Sequence, residues 1–79
     1  MTAKKISIIG QISEIEREIA LREQHYPRLV REGKMREEAR VMMMDRILAI
    51  RATLMFCQQH EADIREFIAA KKAGKAVSA

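Results

Sequence analysis

The sequence is poor in the residues that stabilise small domains covalently or interrupt helices. Among its 79 residues are one cysteine, one proline and three glycines. Because Cys57 is alone, no internal disulfide can form. A chain this short buries only about 60% of its unfolded surface, so it usually needs a disulfide, a metal or a partner. The missing disulfide therefore leaves a metal or a partner as the expected source of extra stability.

Long apolar runs and a secretory leader are also missing. The longest uninterrupted apolar run covers only residues 41–44, whereas a membrane span needs roughly 18 apolar residues. Lys4 and Lys5 precede a short apolar stretch that Gly10 ends, which does not match a secretory signal. A lone thiol suits a reducing compartment. We therefore expect a cytoplasmic protein that does not enter a membrane.

The net charge of +4 comes from the two ends of the chain. Acids and bases nearly balance between the ends, which is typical of solvated helix surfaces. Clustered lysines could bind phosphate groups, so a nucleic-acid contact at the ends is an alternative function. The residues concerned are Lys4, Lys5, Lys71, Lys72 and Lys75.

The first half of the sequence predicts an amphipathic helix over about residues 3–32. One apolar stripe of helical spacing is formed by Ile8, Ile12, Ile15 and Ile19. We expect the helix to begin near residue 3 with Thr2 as its cap. A capping-box pattern at Ser13 leaves a start near residue 13 open.

The connection between the two halves contains the only proline. Pro27 is expected to push Tyr26 out of the helical region and to kink the helix at residues 26–27. Gly33 suits the left-handed conformation that ends a helix. Arg36 then occupies the next N-cap position, where Ser, Thr or Asp would stabilise the helix better.

The second half predicts one long helix over about residues 36–72, followed by a flexible tail at residues 73–79. Its apolar seam repeats at heptad-like spacing through Met43, Ile47, Ile50, Leu54, Cys57, Ile64 and Ile68. Residues 41–57 are apolar around most of the helix, which is typical of a helix surrounded by protein. The narrow stripe of the first helix cannot cover this surface. We therefore predict an all-α antiparallel helical hairpin that pairs with a second copy as a four-helix bundle of undetermined orientation.

Two sets of residues are predicted to contact partners. The predicted dimer or partner interface consists of Met43, Ile47, Ile50, Leu54, Phe56, Cys57, Ile64, Phe67 and Ile68. Methionine-rich surfaces adapt to different partner helices, although methionines also fill ordinary cores. The methionine-rich groove predicted on this basis consists of Met42, Met44, Leu48 and Met55.

The sequence offers little for catalysis or metal binding. Cys57, His60, Glu61 and Asp63 lie within two helical turns, and two copies could supply zinc ligands. Cys57 also continues the apolar seam, which favours a buried packing role. His25 has no Ser or Cys nucleophile in its local sequence, and no glycine-rich phosphate loop is present. We predict no catalytic residue, metal, cofactor or small-molecule substrate.

The connection resembles a group of small uncharacterised proteins of proteobacterial phages and prophages. The matching positions are Arg22, Tyr26, Pro27, Val30, Gly33, Lys34, Met35 and Ala39. The resemblance covers about residues 12–55 and departs at Arg36, where that group often has Ser or Thr. It implies a viral or mobile-element context in a bacterial host, and it implies no activity.

These patterns together predict a non-enzymatic homodimer that binds a host or viral protein as a regulator or inhibitor. Two alternatives remain. The clustered lysines would favour a nucleic-acid accessory protein, and the exposed apolar surface would also suit a structural subunit of a larger assembly.

Overall fold

The computed structural model describes residues 4–74, which form three α-helices and no strand. Helix α1 spans Ile8–Arg31, α2 spans Glu37–Gln59 and α3 spans Glu61–Lys72. The predicted all-α class is confirmed.

Helix α1 begins at a serine cap that the sequence patterns did not identify. The Ser7 hydroxyl accepts a hydrogen bond from the backbone N–H of Gly10 at 3.2 Å, which satisfies one of the free donors of the first turn. Residues 4–7 are not helical, so the expected starts near residue 3 and near residue 13 are both wrong. Thr2 lies outside the described residues.

Pro27 lies inside α1 rather than at its boundary. Tyr26 is helical, so its expected displacement from the helical region is wrong, whereas the kink at residues 26–27 stays a prediction. A proline lacks the N–H that would bond to the carbonyl four residues earlier, which destabilises a helix interior. Leu29 and Val30 are half-buried in the turn that follows. Burial of that turn favours continuing the helix and opposes the local preference of proline.

The connection after α1 is a Schellman motif. The N–H of Lys34 donates to the carbonyl of Leu29 at 2.9 Å, and the N–H of Gly33 donates to the carbonyl of Val30 at 3.1 Å. Gly33 has a φ of 71°, which confirms its predicted left-handed conformation. Arg36 is the N-cap of α2 and makes no capping hydrogen bond through its side chain, so its poor capping is also confirmed.

Helices α1 and α2 pack side by side in opposite directions. Near the first half of α1, Glu16 forms an ion pair with Arg51 at 3.2 Å. Further along α1, the Arg22 guanidinium donates to the backbone carbonyl of Met43 at 3.0 Å. Because the partner number on α2 falls as the number on α1 rises, these two contacts fix an antiparallel register. Among the described residues, Ile19 and Ile47 are the buried apolar residues of the core between the helices.

Helices α2 and α3 are separated at His60, which has a non-helical φ of −109° and a ψ of 17°. The expected single helix over residues 36–72 is therefore wrong, and so is a hairpin of only two helices. The break follows Cys57, which lines one cavity with Ile8 at the start of α1. Beyond that point α1 has no further turn to pack against α2. Ala73 and Gly74 end α3 in a turn, and the remaining predicted tail lies outside the described residues.

Candidate interaction surfaces

The two sides of α2 have very different environments. Ile47 points towards α1 and is 4% exposed, whereas the next residue, Leu48, is 44% exposed. Met43 and Leu54 share the α1-facing side with Ile47 and are half-buried. The α1-facing side of α2 therefore forms the interior of the single chain.

The opposite side of α2 carries large apolar side chains that the rest of residues 4–74 leaves largely exposed. Val41, Met42, Met55 and Phe56 are between 42% and 58% exposed. Helical spacing gathers them with Leu48 on one surface, where two alanines, one acid and one amide complete the set. We define this outer face of α2 as Val41, Met42, Asp45, Leu48, Ala49, Ala52, Met55, Phe56 and Gln59.

The structure divides the predicted interface residues between the interior and the surface. Ile47 is buried against α1 and offers no side-chain surface to a partner. The half-buried members are Met43, Leu54 and Cys57, and the exposed members are Ile50, Phe56, Ile64, Phe67 and Ile68. In the predicted methionine-rich groove, Met42, Leu48 and Met55 are exposed, and Met44 is half-buried. The predicted seam thus mixes residues that fold the chain with residues that remain available.

A second candidate surface lies where α3 passes the beginning of α1. A cavity of about 540 Å³ opens there between Ile8 of α1 and the apolar side chains Ile64 and Ile68 of α3. We define this α3 cavity by its lining residues Lys5, Ile8, Cys57, Glu61, Ile64, Arg65, Ile68, Ala69 and Lys72. Helix α3 contains no buried residue, so its apolar side chains remain accessible along its length.

Charged side chains at the α3 cavity are predominantly basic. Glu61 accepts a hydrogen bond from Arg65 at 2.9 Å, so its charge is already balanced by a neighbour. Lys5 and Lys72 line the same cavity although they are distant in sequence. Lys71 Nζ lies 5.8 Å from the ring centre of Phe67, within the range of a cation–π contact. Lys4 is exposed, and Lys75 lies outside the described residues.

The candidate metal ligands are only partly brought together. Cys57 and Glu61 line the α3 cavity. The His60 ring packs against Phe56 with 4.5 Å between ring centres, and His60 Nδ1 lies 3.9 Å from Asp63. Within residues 4–74, no three His, Cys, Asp or Glu side chains gather as a metal site would require.

His25, in the C-terminal half of α1, is a surface residue. His25 is exposed and lines a shallow depression of about 210 Å³ with Glu18, Arg22 and Tyr26. The Arg22 guanidinium lies 5.7 Å from the centre of the Tyr26 ring and also donates to Glu18 at 2.9 Å. These contacts hold Arg22 across the side of α1 and explain its position near α2.

The resolved pKa shifts belong to exposed ion pairs within single helices. Hydrogen bonds from Arg40 hold the pKa of Glu37 below its ordinary value. A hydrogen bond to Glu14 raises the pKa of Arg17. None of these four residues belongs to the outer face of α2 or to the α3 cavity, so the shifts reflect local helix surface pairs.

Sequence reasoning missed several residues of both surfaces. Val41, Asp45 and Ala52 belong to the outer face, and Ile8 and Arg65 line the α3 cavity. The spacing of seven between Val41, Leu48 and Met55 was the available signal for the outer face. The cavity had no comparable signal, because it depends on the break at His60.

Two further findings bear on function. No helix in the described part of the chain is long and apolar enough to cross a membrane. Comparison of the chain with protein-family models, curated proteins and solved structures gave no match.

Proposed function

We propose that this chain is a non-enzymatic protein-binding module that acts as a homodimer on a host or viral protein. In this proposal it works in the bacterial cytoplasm as a regulator or inhibitor encoded by a phage or prophage. Binding would be stoichiometric, with one apolar surface joining two copies and another contacting the target. The mobile-element context is supported by the resemblance of about residues 12–55 to small phage and prophage proteins.

The observation that carries this proposal is the apolar surface left uncovered in one copy. The chain exposes 6738 Å² of total surface, polar and apolar together, whereas a compact monomer of 9.1 kDa would expose about 4900 Å². Its radius of gyration is 18.4 Å, compared with about 12 Å for a compact domain of this length. Large contiguous apolar surfaces on small proteins are typical of protein interfaces. The outer face of α2 and the α3 cavity together supply two such surfaces.

The α3 cavity is the better candidate for the target. Ile64 and Ile68 provide an apolar floor, and Lys5 and Lys72 provide a basic rim. An amphipathic helix with acidic flanks would match this combination of apolar and basic side chains.

Sedimentation velocity of the purified full chain at micromolar concentration tests the dimer. We expect a concentration-dependent dimer. A monomer across this range would contradict the homodimer, and open-ended polymers would favour the structural-subunit alternative.

Capture from a host lysate tests the target surface, provided that matched variants are compared. We expect a bound protein that the full chain retains, that Ile68→Ser loses and that Glu66→Ser keeps. Glu66 is an exposed α3 residue that does not line the cavity, so it controls for nonspecific effects of changing α3. Equal capture by all three proteins would contradict binding at the α3 cavity.

The lysines that meet at the cavity favour a second candidate function, nucleic-acid binding. Lys5 and Lys72 line one cavity, and they add positive charge there beyond the Arg65–Glu61 ion pair. A mobility shift on generic DNA should then weaken steeply with salt, and it should weaken further in a Lys5→Gln, Lys72→Gln variant. No shift at low salt would contradict this second candidate.

A further inference from the structure

The outer face of α2 consists of three parallel rows with a spacing of seven. One row contains the large residues Val41, Leu48 and Met55. The next row contains Asp45, Ala52 and Gln59, so its central member is small. A large residue such as Leu48 beside a small one such as Ala52 lets two helices interdigitate at that level.

We infer that the outer face of α2 binds the same face of a second copy in the antiparallel orientation. This inference rests on the proposed homodimer and adds its surface and its orientation. Leu48 of each copy then packs against Ala52 of the other, so a large side chain meets a small one on both sides of the two-fold axis. The same register sets Val41 opposite Gln59 and Asp45 opposite Met55.

The third row of the outer face fits this register as well. Met42 and Phe56 lie equally far from Ala49, seven residues on either side. In an antiparallel pair, rows on the same flank meet each other. Met42 of one copy would therefore contact Phe56 of the other, and the two Ala49 residues would meet near the axis. A methionine sulfur against an aromatic ring is a favourable contact.

Repulsion between like charges disfavours the alternative in which the two copies run parallel. A parallel pair in register would bring the two Asp45 carboxylates into one buried layer, where neither has an opposite charge. The antiparallel register separates them by ten residues along the helix, which is about 15 Å. Asp45 therefore selects the orientation.

The chain exposes more surface than a single interface with a second copy would bury. The chain exposes roughly 1800 Å² more than a compact monomer of its mass. A stable interface buries about 600–1000 Å² on each partner. The outer face of α2 can thus be covered by a second copy while the α3 cavity remains available for a target.

Cysteine pairs introduced in a Cys57→Ser background of the full chain test this inference. Asp45→Cys and Met55→Cys chains, one of them tagged so that its mass differs, are mixed and mildly oxidised. We expect a mixed disulfide between positions 45 and 55 and no disulfide between two copies of position 55. In the antiparallel register, the two copies of position 55 would be about 15 Å apart, beyond the reach of a disulfide.

The outcomes separate this inference from the proposal on which it rests. A 55–55 disulfide as the main product would show a parallel pair and overturn the inference while leaving a homodimer. A sedimenting dimer that forms neither disulfide would also overturn it, because another face would then join the copies. A monomer would overturn both the inference and the proposed homodimer.

A second variant tests the role assigned to Asp45 without cross-linking. Asp45→Leu removes a charge that the antiparallel interface desolvates, so the dimer Kd should fall by about tenfold or more. It should also allow the parallel pair, so that the 55–55 disulfide forms in this background. Glu66→Leu, which changes an exposed acid on α3, is the matched control and should leave the Kd unchanged. An unchanged Kd in Asp45→Leu would overturn the inference.

Discussion

Ile47 and Leu48 are neighbours of nearly equal size with opposite environments. Ile47 is 4% exposed in the interface with α1, and Leu48 is 44% exposed on the outer face of α2. One step along a helix turns a side chain by about 100°, so adjacent apolar residues can belong to different surfaces. Both residues are equally hydrophobic by type, so composition does not distinguish them.

The difference teaches that α2 has two apolar sides with two separate roles. The α1-facing side contributes to the stability of one copy. The outer face contributes to stability only when a second copy or another protein covers it. Substitutions on the two sides should therefore differ in how their effects depend on protein concentration.

Truncation of Ile47 should have the largest effect. Ile47→Ala should reduce the free energy of unfolding by about 2–5 kcal/mol, because it removes buried apolar atoms and leaves a cavity. Denaturant unfolding followed by circular dichroism measures this loss. The loss should be the same at all protein concentrations, because the contact lies within one chain.

Leu48→Ala is the matched control for Ile47→Ala. Its effect on unfolding should appear at high protein concentration and disappear on dilution, since it weakens only the contact between copies. If both variants lose the same stability at every concentration, the division between the two sides of α2 is wrong.

Much of this division could be predicted from the sequence, and the rest depended on contacts between helices. The left-handed conformation of Gly33 and the poor capping by Arg36 followed from local backbone chemistry, and the structure confirms both. The excess of apolar residues on α2 was also visible as a pattern. The side of α2 that faces α1 was not visible, because residues 41–57 are apolar around most of the helix.

The helix boundaries failed for a related reason. Pro27 opposes a helix locally, yet the half-buried turn that follows it stays helical. His60 lacks any strong breaking signal, and the helix nevertheless breaks just after the end of its contact with α1. In both cases tertiary packing decided where helix could continue, and local propensity did not.

Gly33→Ala should have the second-largest effect, because this residue sets how α2 returns along α1. At a φ of 71° an alanine side chain costs about 1–2 kcal/mol. A Cβ atom there would meet no other atom within 4 Å, so the penalty is conformational. Gly33→Asn should cost less, since asparagine tolerates this region. Equal unfolding midpoints for wild type and both variants would contradict the Schellman connection.

Improving the N-cap of α2 should increase stability by a smaller amount. Arg36 already has the extended backbone of a cap, with a φ of −78° and a ψ of 147°, but makes no side-chain capping bond. Arg36→Ser should therefore stabilise the fold by about 1 kcal/mol. Arg36→Ala is the control and should be nearly neutral. A gain shared by both variants would indicate relief of a charge effect instead of capping.

The smallest predicted effect concerns the ion pair at the edge of the α1-facing side. Glu16 and Arg51 join α1 to α2 at 3.2 Å, and both side chains are partly exposed, so their coupling should be only about 0.2–1 kcal/mol. A double-mutant cycle with Glu16→Gln and Arg51→Gln measures this coupling energy, and added salt should reduce it.

The Glu61–Arg65 pair within α3 is the control for a local pair of similar geometry. Because Arg51 follows Leu48 by three residues, a measurable coupling to Glu16 limits how far α2 can rotate against α1. Zero coupling at Glu16–Arg51 beside a measurable coupling in α3 would contradict the register that turns Ile47 inward and Leu48 outward.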